Sequence, residues 1–278
     1  MKHALRLTIL ACVIFMAIGC SADQYSIERQ YWQIQKRADR IFSNSEATPP
    51  RELEKAVNLL NQFSLKYPKS NLAVDADFTV ARLYIVKNGF DSARVKLRSS
   101  LDKYNDSVSV CAEALFLIGN TYELQNKWAA ALEEYRKIIQ DYPQTQRGLD
   151  MPVYIAQHYK IKNQPEKMNL ALQDAIAHYN SLAGKYPNTR LAFSSYILAA
   201  QSYAQLNDWR NAVNTYNTIL LTFKNKVNLS GIMFEMALIY DQRLKDKTAA
   251  KEILSQLISN FPQSKLATPA RELLKDLN

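Results

Sequence analysis

Apolar and small residues recur every three or four positions along most of this chain, which is the spacing of amphipathic α-helices. The clearest stretch runs from Glu113 to Pro143, where two such runs are separated by the polar residues 125–127. Gly119 and Ala131 are small enough to let two paired helices approach, and Pro143 ends the second helix. The apolar and small positions of this stretch are Leu115, Ile118, Gly119, Tyr122, Trp128, Ala131, Tyr135 and Ile138. The pattern predicts a helical hairpin with a tight turn.

A four-residue tag closes this hairpin and recurs along the chain. It consists of an aromatic residue, in most cases a proline, a polar residue and then serine or threonine, except that the tag at Phe223 ends in lysine. Proline prevents the helix from continuing, and the hydroxyl can cap the next helix. The intervals between tags are 37, 38, 44, 37 and 38 residues, which predicts six repeats. The tags begin at Tyr67, Tyr104, Tyr142, Tyr186, Phe223 and Phe261.

Two segments depart from the common length. The fourth repeat carries about seven extra residues, close to two helical turns, which predicts a longer second helix from Pro165 to Lys185 that projects beyond its neighbours. After the last tag, residues 265–278 have room for a single helix that would cover the apolar face of the last repeat. The sequence thus predicts thirteen helices.

The stretch from Glu113 to Pro143 resembles the tetratricopeptide repeat (TPR), and the second and fifth repeats match it at Tyr84, Phe90, Ala93, Ala200, Tyr203, Trp209, Ala212 and Tyr216. The resemblance implies an all-α fold, a right-handed solenoid of about six TPR-like hairpins over residues 26–264, followed by the capping helix. A repeat unit in which this tag is followed by an Ala-rich helix is similar to the TPR units of BamD-like outer-membrane assembly lipoproteins and of Tol-Pal-associated TPR proteins. That similarity implies a role in outer-membrane protein assembly or envelope maintenance.

The N-terminus is a separate segment. Lys2 and Arg6 precede an apolar run over 7–18, and Ala17-Ile18-Gly19-Cys20 follows the pattern of small residues before a cysteine. This resembles a bacterial lipoprotein signal peptide, which implies removal of residues 1–19, acylation of Cys20, and a tether over 20–25. Serine rather than aspartate after Cys20 implies the periplasmic face of the outer membrane. A secretory signal with a chance cysteine is the alternative, and Cys12 is a weaker candidate for acylation.

Composition narrows the possible partners. The net charge of +9 becomes +7 without Lys2 and Arg6, and the basic residues are spread along the helices rather than clustered with aromatics. This pattern favours a solvated surface over nucleic-acid binding. Once Cys12 is removed and Cys20 is acylated, Cys111 is the one remaining thiol, and we expect it to be a buried small hydrophobe.

Residues with catalytic potential do not form a recognisable motif. The sequence contains no HExxH, CxxC, GxGxxG, P-loop or GxSxG motif, and His158 and His178 lack ligand partners at metal spacing. Glu133 and Glu134 are adjacent on a helix, so they point apart and are expected on a solvated face. We therefore expect no catalytic residue, metal, cofactor or small-molecule substrate.

In TPR proteins the first helices of the repeats line a groove, and the resemblance implies that partners bind there. The predicted groove has an apolar position at Phe78, Phe116, Val153, Ile197 and Phe234, with the polar residues Arg82, Asn120, Gln157 and Gln201 one turn further on. This ladder suits an amphipathic helix or hydrophobic peptide of another envelope protein. Alternatively, the apolar residues only pack one first helix on the next.

Three functions remain open from sequence. The leading one is a lipid-anchored, non-enzymatic scaffold for protein–protein interactions in the bacterial envelope. The second is a pilotin-like lipoprotein for a secretin or type IV pilus. The third, of a different class, is a cell-wall enzyme, for which the sequence leaves no separate catalytic domain outside the repeats.

Overall fold

The computed structural model describes residues 24–224 and 226–277, and in these ranges the chain forms thirteen α-helices and no β-strand. Helix α1 covers residues 24–43. The others are α2 Pro50–Lys66, α3 Asn71–Val86, α4 Phe90–Lys103, α5 Val108–Leu124, α6 Trp128–Asp141, α7 Gln146–Ile161, α8 Pro165–Lys185, α9 Arg190–Gln205, α10 Trp209–Thr222, α11 Ser230–Gln242, α12 Lys247–Asn260 and α13 Ala267–Asp276. The predicted all-α repeat fold and its helix count are confirmed. Within the described ranges, no helix is both long and apolar enough to cross a membrane.

The chain divides into two compact units, with the boundary after Ile138 inside α6. In the first unit, buried side chains of α1, α2 and α3 form one core and those of α3, α4 and α5 another. In the second unit, α7, α8 and α9 share a core, and further cores join α9 to α11 and α11 to α13. Each unit is thus built from helices that pack on their neighbours in sequence.

The tags work as the sequence predicts at most repeat junctions. The hydroxyls of Ser70, Thr145 and Thr189 each accept a backbone N–H in the first turn of the following helix. Ser107 occupies the same N-cap position without a side-chain cap, and Ser264 accepts the backbone N–H of Leu266 just before α13. Side-chain capping compensates N–H groups that have no partner within the helix, so the tag defines where each repeat starts.

The turn inside the second to sixth hairpins depends on a residue in the left-handed conformation. Asparagine takes this position in four hairpins and lysine in the sixth, with φ between 53° and 60°: Asn88, Asn126, Asn163, Asn207 and Lys245. In each case the N–H of the next residue bonds back to a carbonyl of the first helix, for example Lys127 N to Tyr122 O at 2.8 Å. Asparagine tolerates this conformation better than most residues, so it ends the first helix.

Small residues permit the closest helix contacts. A Cβ added to Gly119 would overlap the ring of Tyr135 across the α5–α6 hairpin, and Ala131 is fully buried in the same hairpin. The close approach predicted at these two positions is confirmed. A Cβ on Gly148 would overlap the backbone of Tyr142 and Pro143 in the preceding tag.

The long helix of the fourth repeat has the predicted bounds, Pro165–Lys185. Its first six residues are exposed apart from Met168, whereas buried residues begin at Ala171, so the extra turns extend beyond the packed part of the hairpin. At the N-terminus, Gln24 and Tyr25 of the predicted tether are already helical. The predicted signal peptide and Cys20 lie outside the described residues.

Candidate partner-binding surfaces

In the first unit, the predicted groove position is the floor of a shallow depression between α3 and α5. Phe78 is only 3% exposed and packs against Ala81 and Leu97. The depression encloses about 260 Å³ and is lined by Asn71, Val74, Asp75, Phe78, Arg82, Ser109, Val110 and Glu113. The Phe78 side chain therefore serves to pack neighbouring helices together, which is the alternative that the sequence left open for the apolar ladder.

The other predicted groove residues are half-buried or polar. Phe116 lies 6.0 Å from the ring of Tyr135, while Asn120 is half-buried and Arg82 exposed in the same unit. In the second unit, Val153, Ile197 and Phe234 are half-buried against the cores, and Gln157 and Gln201 are exposed. The apolar ladder contributes to packing in both units, and its role as a binding groove stays a prediction.

A buried carboxylate closes the junction between the first and second repeats. Asp77 lies on α3 with a side chain that is 2% exposed, and each of its oxygens is hydrogen-bonded. Lys96 donates to Oδ1 at 2.5 Å, whereas Oδ2 accepts from Ser64 at 2.8 Å, Lys103 at 2.9 Å and Tyr104 at 2.6 Å. These five side chains, which we call the Asp77 cluster, join α2, α3, α4 and the second tag.

The electrostatics of the Asp77 cluster favour the ion pairs. Burial alone would raise the pKa of Asp77, but the hydrogen bonds from Lys96, Tyr104 and Lys103 outweigh it and hold the pKa below its usual value. Burial would also lower the pKa of Lys103, yet its bonds to Tyr104 and Asp77 raise it. The cluster is therefore charged at neutral pH.

The same five repeat positions have apolar or neutral side chains at the junction of the fifth and sixth repeats. The two junctions are aligned by their tag aromatics, Tyr67 with Phe223 and Tyr104 with Phe261. In this alignment Ser64, Asp77, Lys96, Lys103 and Tyr104 correspond, in that order, to Leu220, Met233, Ile253, Asn260 and Phe261. All five equivalents line a cavity of about 590 Å³ between α10, α11 and α12. The first junction also has a depression, of about 480 Å³, but polar side chains such as Asn61, Asp91 and Lys96 line much of it, whereas apolar side chains line most of the cavity at the other junction.

The connection between α10 and α11 is longer than its counterparts. Residues 223–229 connect these helices, whereas four residues connect α2 to α3, α4 to α5, α6 to α7 and α8 to α9. Six residues after the tag aromatic, Leu229 stands where Ala73, Val110, Gly148 and Ala192 stand in the other repeats. A bulkier residue and a longer connection both favour a wider spacing of the fifth and sixth repeats, consistent with the cavity.

The opening of this cavity combines exposed apolar side chains with amides. Leu221 is 82% exposed and Val227 is 41% exposed, although both are aliphatic. Asn217, Gln256 and Asn260 contribute amide donors and acceptors to the lining, and Lys224 and Glu252 add one exposed charge of each sign. Such a site can bury apolar side chains and hydrogen-bond a peptide backbone.

A second buried carboxylate contradicts a sequence expectation. Glu134 was predicted on a solvated face with Glu133, but its side chain is 5% exposed, and Oε1 is paired with Arg98 at 2.6 Å and Lys137 at 3.2 Å. Its Oε2 has no hydrogen-bond partner among the described residues. Adjacent positions on a helix differ by about 100°, so Glu133 is exposed while Glu134 faces inward.

Among the described residues, the cysteine is buried and both histidines are half-buried. Cys111 is buried, as expected. His178 is half-buried, and burial lowers its pKa. Across residues 24–224 and 226–277, no group of three His, Cys, Asp or Glu side chains is placed to hold a metal ion.

The succession of antiparallel helical hairpins with tag-capped junctions defines a helical-repeat protein, the architecture of a protein–protein interaction scaffold. The family model described as the tetratricopeptide repeat matches residues 113–145 and 232–264, which lie in the third and sixth hairpins. These matches coincide with the hairpin that the sequence singled out and with the last repeat before α13.

Solved structures with similar helices include other repeat proteins. BtubC from P. vanneervenii is 15% identical over 90% of this chain and 92% of its own, with a TM-score of 0.42. The TPR2AB domain of yeast Sti1, in complex with an Hsp90 peptide, is 13% identical over 90% and 99%, with a TM-score of 0.34. A tetratricopeptide repeat protein from Parabacteroides merdae is 12% identical over 90% and 99%, with a TM-score of 0.36. A search of curated proteins gives no match.

Proposed function

We propose that this chain is a non-catalytic scaffold, anchored through an acylated Cys20 to the periplasmic face of a bacterial outer membrane, that holds other envelope proteins. The apolar run over 7–18, followed by small residues and Cys20, supports the anchor. Helical repeats with ion-paired and apolar packing support the scaffold role. Outer-membrane protein assembly is the task that fits both features together. Anchoring confines the scaffold to two dimensions and so raises its effective concentration toward neighbouring envelope proteins.

The observation that carries the binding role is the cavity between the fifth and sixth repeats. Its volume of about 590 Å³ lies within the range of ligand sites, and it is bordered by exposed aliphatic side chains. The occupant we propose is a polypeptide segment with two or three apolar side chains. Leu220, Met233 and Ile253 would contact those side chains, while the Asn and Gln amides would bond to its backbone.

Site-specific photocrosslinking in cells tests this assignment. A photoreactive residue replaces Leu221, and the matched control replaces Leu65, which is the equivalent residue two positions before the first tag and is 77% exposed on α2. We expect crosslinks to a defined segment of an envelope protein from position 221 and few from position 65. Val227→Asp should reduce them, because a charge at the opening opposes entry of an apolar side chain.

Two other results would change the assignment. Equal crosslinking from positions 65 and 221 would exclude the cavity as the partner site. Crosslinks from Arg82 or Gln201 but not from Leu221 would place the partner on the predicted first-helix groove instead.

The anchor is tested separately by Cys20→Ser. Without acyl chains the protein should move from the membrane pellet to the soluble fraction, because the remaining charge gives only weak, salt-sensitive attachment. Cys12→Ser is the control and should leave the protein in the pellet. Retention of the Cys20→Ser protein at high salt would contradict acylation as the anchor.

A further inference from the structure

Helix α1 carries an aromatic and basic stripe on the face opposite its core. Tyr25, Arg29, Trp32, Lys36 and Arg40 are spaced by four, three, four and four residues, so they lie along one side of the helix. All five are exposed, with Tyr25 at 67% and Trp32 at 57%. The opposite side, including Tyr31, Ala38 and Ile41, is buried in the first core. We call the five residues the α1 stripe.

The chemistry of the α1 stripe is that of a membrane–water interface. Tyrosine and tryptophan are enriched at the headgroup level because each combines an apolar ring with a polar group. Lys36 lies 3.5 Å from the centre of the Trp32 ring, so the cation and the ring present a single surface. Arg29 and Arg40 add positive charge that anionic lipids attract.

Acidic residues border the stripe on one side only. Glu28 accepts a hydrogen bond from Gln24 at 2.7 Å, and Asp39 accepts one from Gln35 at 3.0 Å. Both lie at the edge of the stripe rather than on its centre line, and three cations outnumber them on the exposed face of the helix. The central line of the stripe therefore offers only aromatic and basic groups.

The position of the stripe in the chain limits what it can reach. Tyr25 is five residues after Cys20, and five residues span at most about 18 Å when fully extended. If Cys20 is acylated, α1 begins within this distance of the bilayer surface. A helix of 20 residues is about 30 Å long, so a tilt toward the surface would bring Trp32 to the headgroups as well.

We propose that the α1 stripe rests on the anionic headgroups of the membrane that holds the acyl anchor and thereby orients the first repeat. This inference rests on the anchored scaffold proposed above. Acyl chains alone would leave the repeats free to rotate about the tether. Contact along α1 would fix which face of the first unit points away from the lipid.

Quenching by brominated lipid tests the stripe. The purified full chain, as processed in cells, is mixed with vesicles of phosphatidylethanolamine and brominated phosphatidylglycerol, and tryptophan emission is recorded. We expect quenching that Trp32→Phe removes and the control Trp209→Phe retains. Trp32 is exposed, so its replacement leaves the core intact. High salt should reduce the quenching of Trp32, because it screens the attraction between the cations of the stripe and anionic lipid. The triple variant Arg29→Gln, Lys36→Gln and Arg40→Gln should reduce it as well, because it removes those cations.

Each outcome decides the proposal. If Trp32→Phe is quenched as strongly as the unaltered chain, the stripe does not touch lipid and the proposal is wrong. A second result would also overturn the proposal. If Trp32 is not quenched, and if cells that express the Trp32→Ser variant lose a crosslink to another protein that the unaltered chain forms, the stripe binds a protein partner rather than lipid. Mass spectrometry reports acylation of Cys20 independently. Quenching of Trp32 in a chain without acylation would support the stripe while refuting the anchor.

Discussion

The junction of the first two repeats and the junction of the last two repeats use the same positions in opposite ways. At the first, Asp77 is bonded to two lysines and two hydroxyls, which link three helices and the second tag. The depression at this junction is lined in large part by polar side chains. At the second, equivalent residues such as Leu220 and Met233 line a cavity. Hydrogen bonds and ion pairs require defined distances and angles, whereas apolar burial is not directional. Repeats can therefore be joined through a buried ion-pair cluster or through apolar side chains without a change in the hairpin itself.

The largest effect is expected from removing the buried acid. Asp77→Ala leaves Lys96, Lys103 and Tyr104 without their shared acceptor, and loss of one partner of a buried ion pair costs about 3–5 kcal/mol of unfolding free energy. Chemical denaturation monitored by circular dichroism measures this loss.

The matched control makes the first junction resemble the other one. All five substitutions together, Ser64→Leu, Asp77→Met, Lys96→Ile, Lys103→Asn and Tyr104→Phe, introduce the residue types of the other junction. We expect a much smaller loss from this five-residue variant, because replacing a whole buried ion pair by apolar or neutral groups of similar size often costs little. An equal loss in both variants would show that the charges themselves do not matter.

The converse change puts an acid into the other junction. Met233→Asp places a carboxylate near Ile253 and Asn260, with no lysine at the equivalent positions. We expect a loss of about 2–3 kcal/mol, because the cavity lets water reach part of the new charge. Adding Ile253→Lys and Asn260→Lys should recover part of the stability. A Met233→Asp chain as stable as the unaltered one would mean that this junction is already solvated.

The pH dependence of stability separates the two junctions. The folded-state pKa of Asp77 lies below its usual 3.8, so its contribution is present above that value and is lost as pH falls through the folded-state pKa. The pKa of Lys103 is raised above 10.5, so its contribution is present below that pH and lost as the pH rises through the folded-state value. The stability difference between the unaltered chain and the five-residue variant should therefore shrink in strong acid and strong base. A pH-independent difference would contradict the charged cluster.

The smallest effect concerns the turn of the sixth hairpin. Lys245 has a φ of 58°, where four other hairpins use asparagine. Lys245→Asn should raise the unfolding free energy by roughly 0.5 kcal/mol, because asparagine takes the left-handed conformation with less strain. Asn126→Lys is the reciprocal change and should lower it by a similar amount. Thermal unfolding of both variants measures the difference.

Sequence periodicity was sufficient for the fold, because each repeat folds from local signals. The tags predicted the caps at Ser70, Thr145 and Thr189, and the length of the fourth repeat gave both ends of α8. The buried acids were not found, since a single Asp or Glu in an amphipathic pattern normally faces solvent. Aligning the repeats by their tags provides the missing signal, because Asp77 falls on a position that is apolar or aromatic in the others.

The cavity could not be predicted from composition. Its lining residues are ordinary helix residues, and the opening depends on the spacing of two hairpins. In the sequence, the only sign of the longer connection over 223–229 is that the tag at Phe223 lacks proline. The asparagines of the hairpin turns were also overlooked, although their recurrence at one position in four repeats is a readable signal for a left-handed turn.

Packing between successive helices has a consequence for how the chain folds. Contacts between neighbours in sequence require little loop closure, so single hairpins can form early and the structure can grow from them. In native-state hydrogen exchange, each hairpin would then show its own opening free energy rather than one value for a whole unit. Amides of α11 to α13, beyond the cavity, should exchange faster than those of α2 to α4 around the Asp77 cluster.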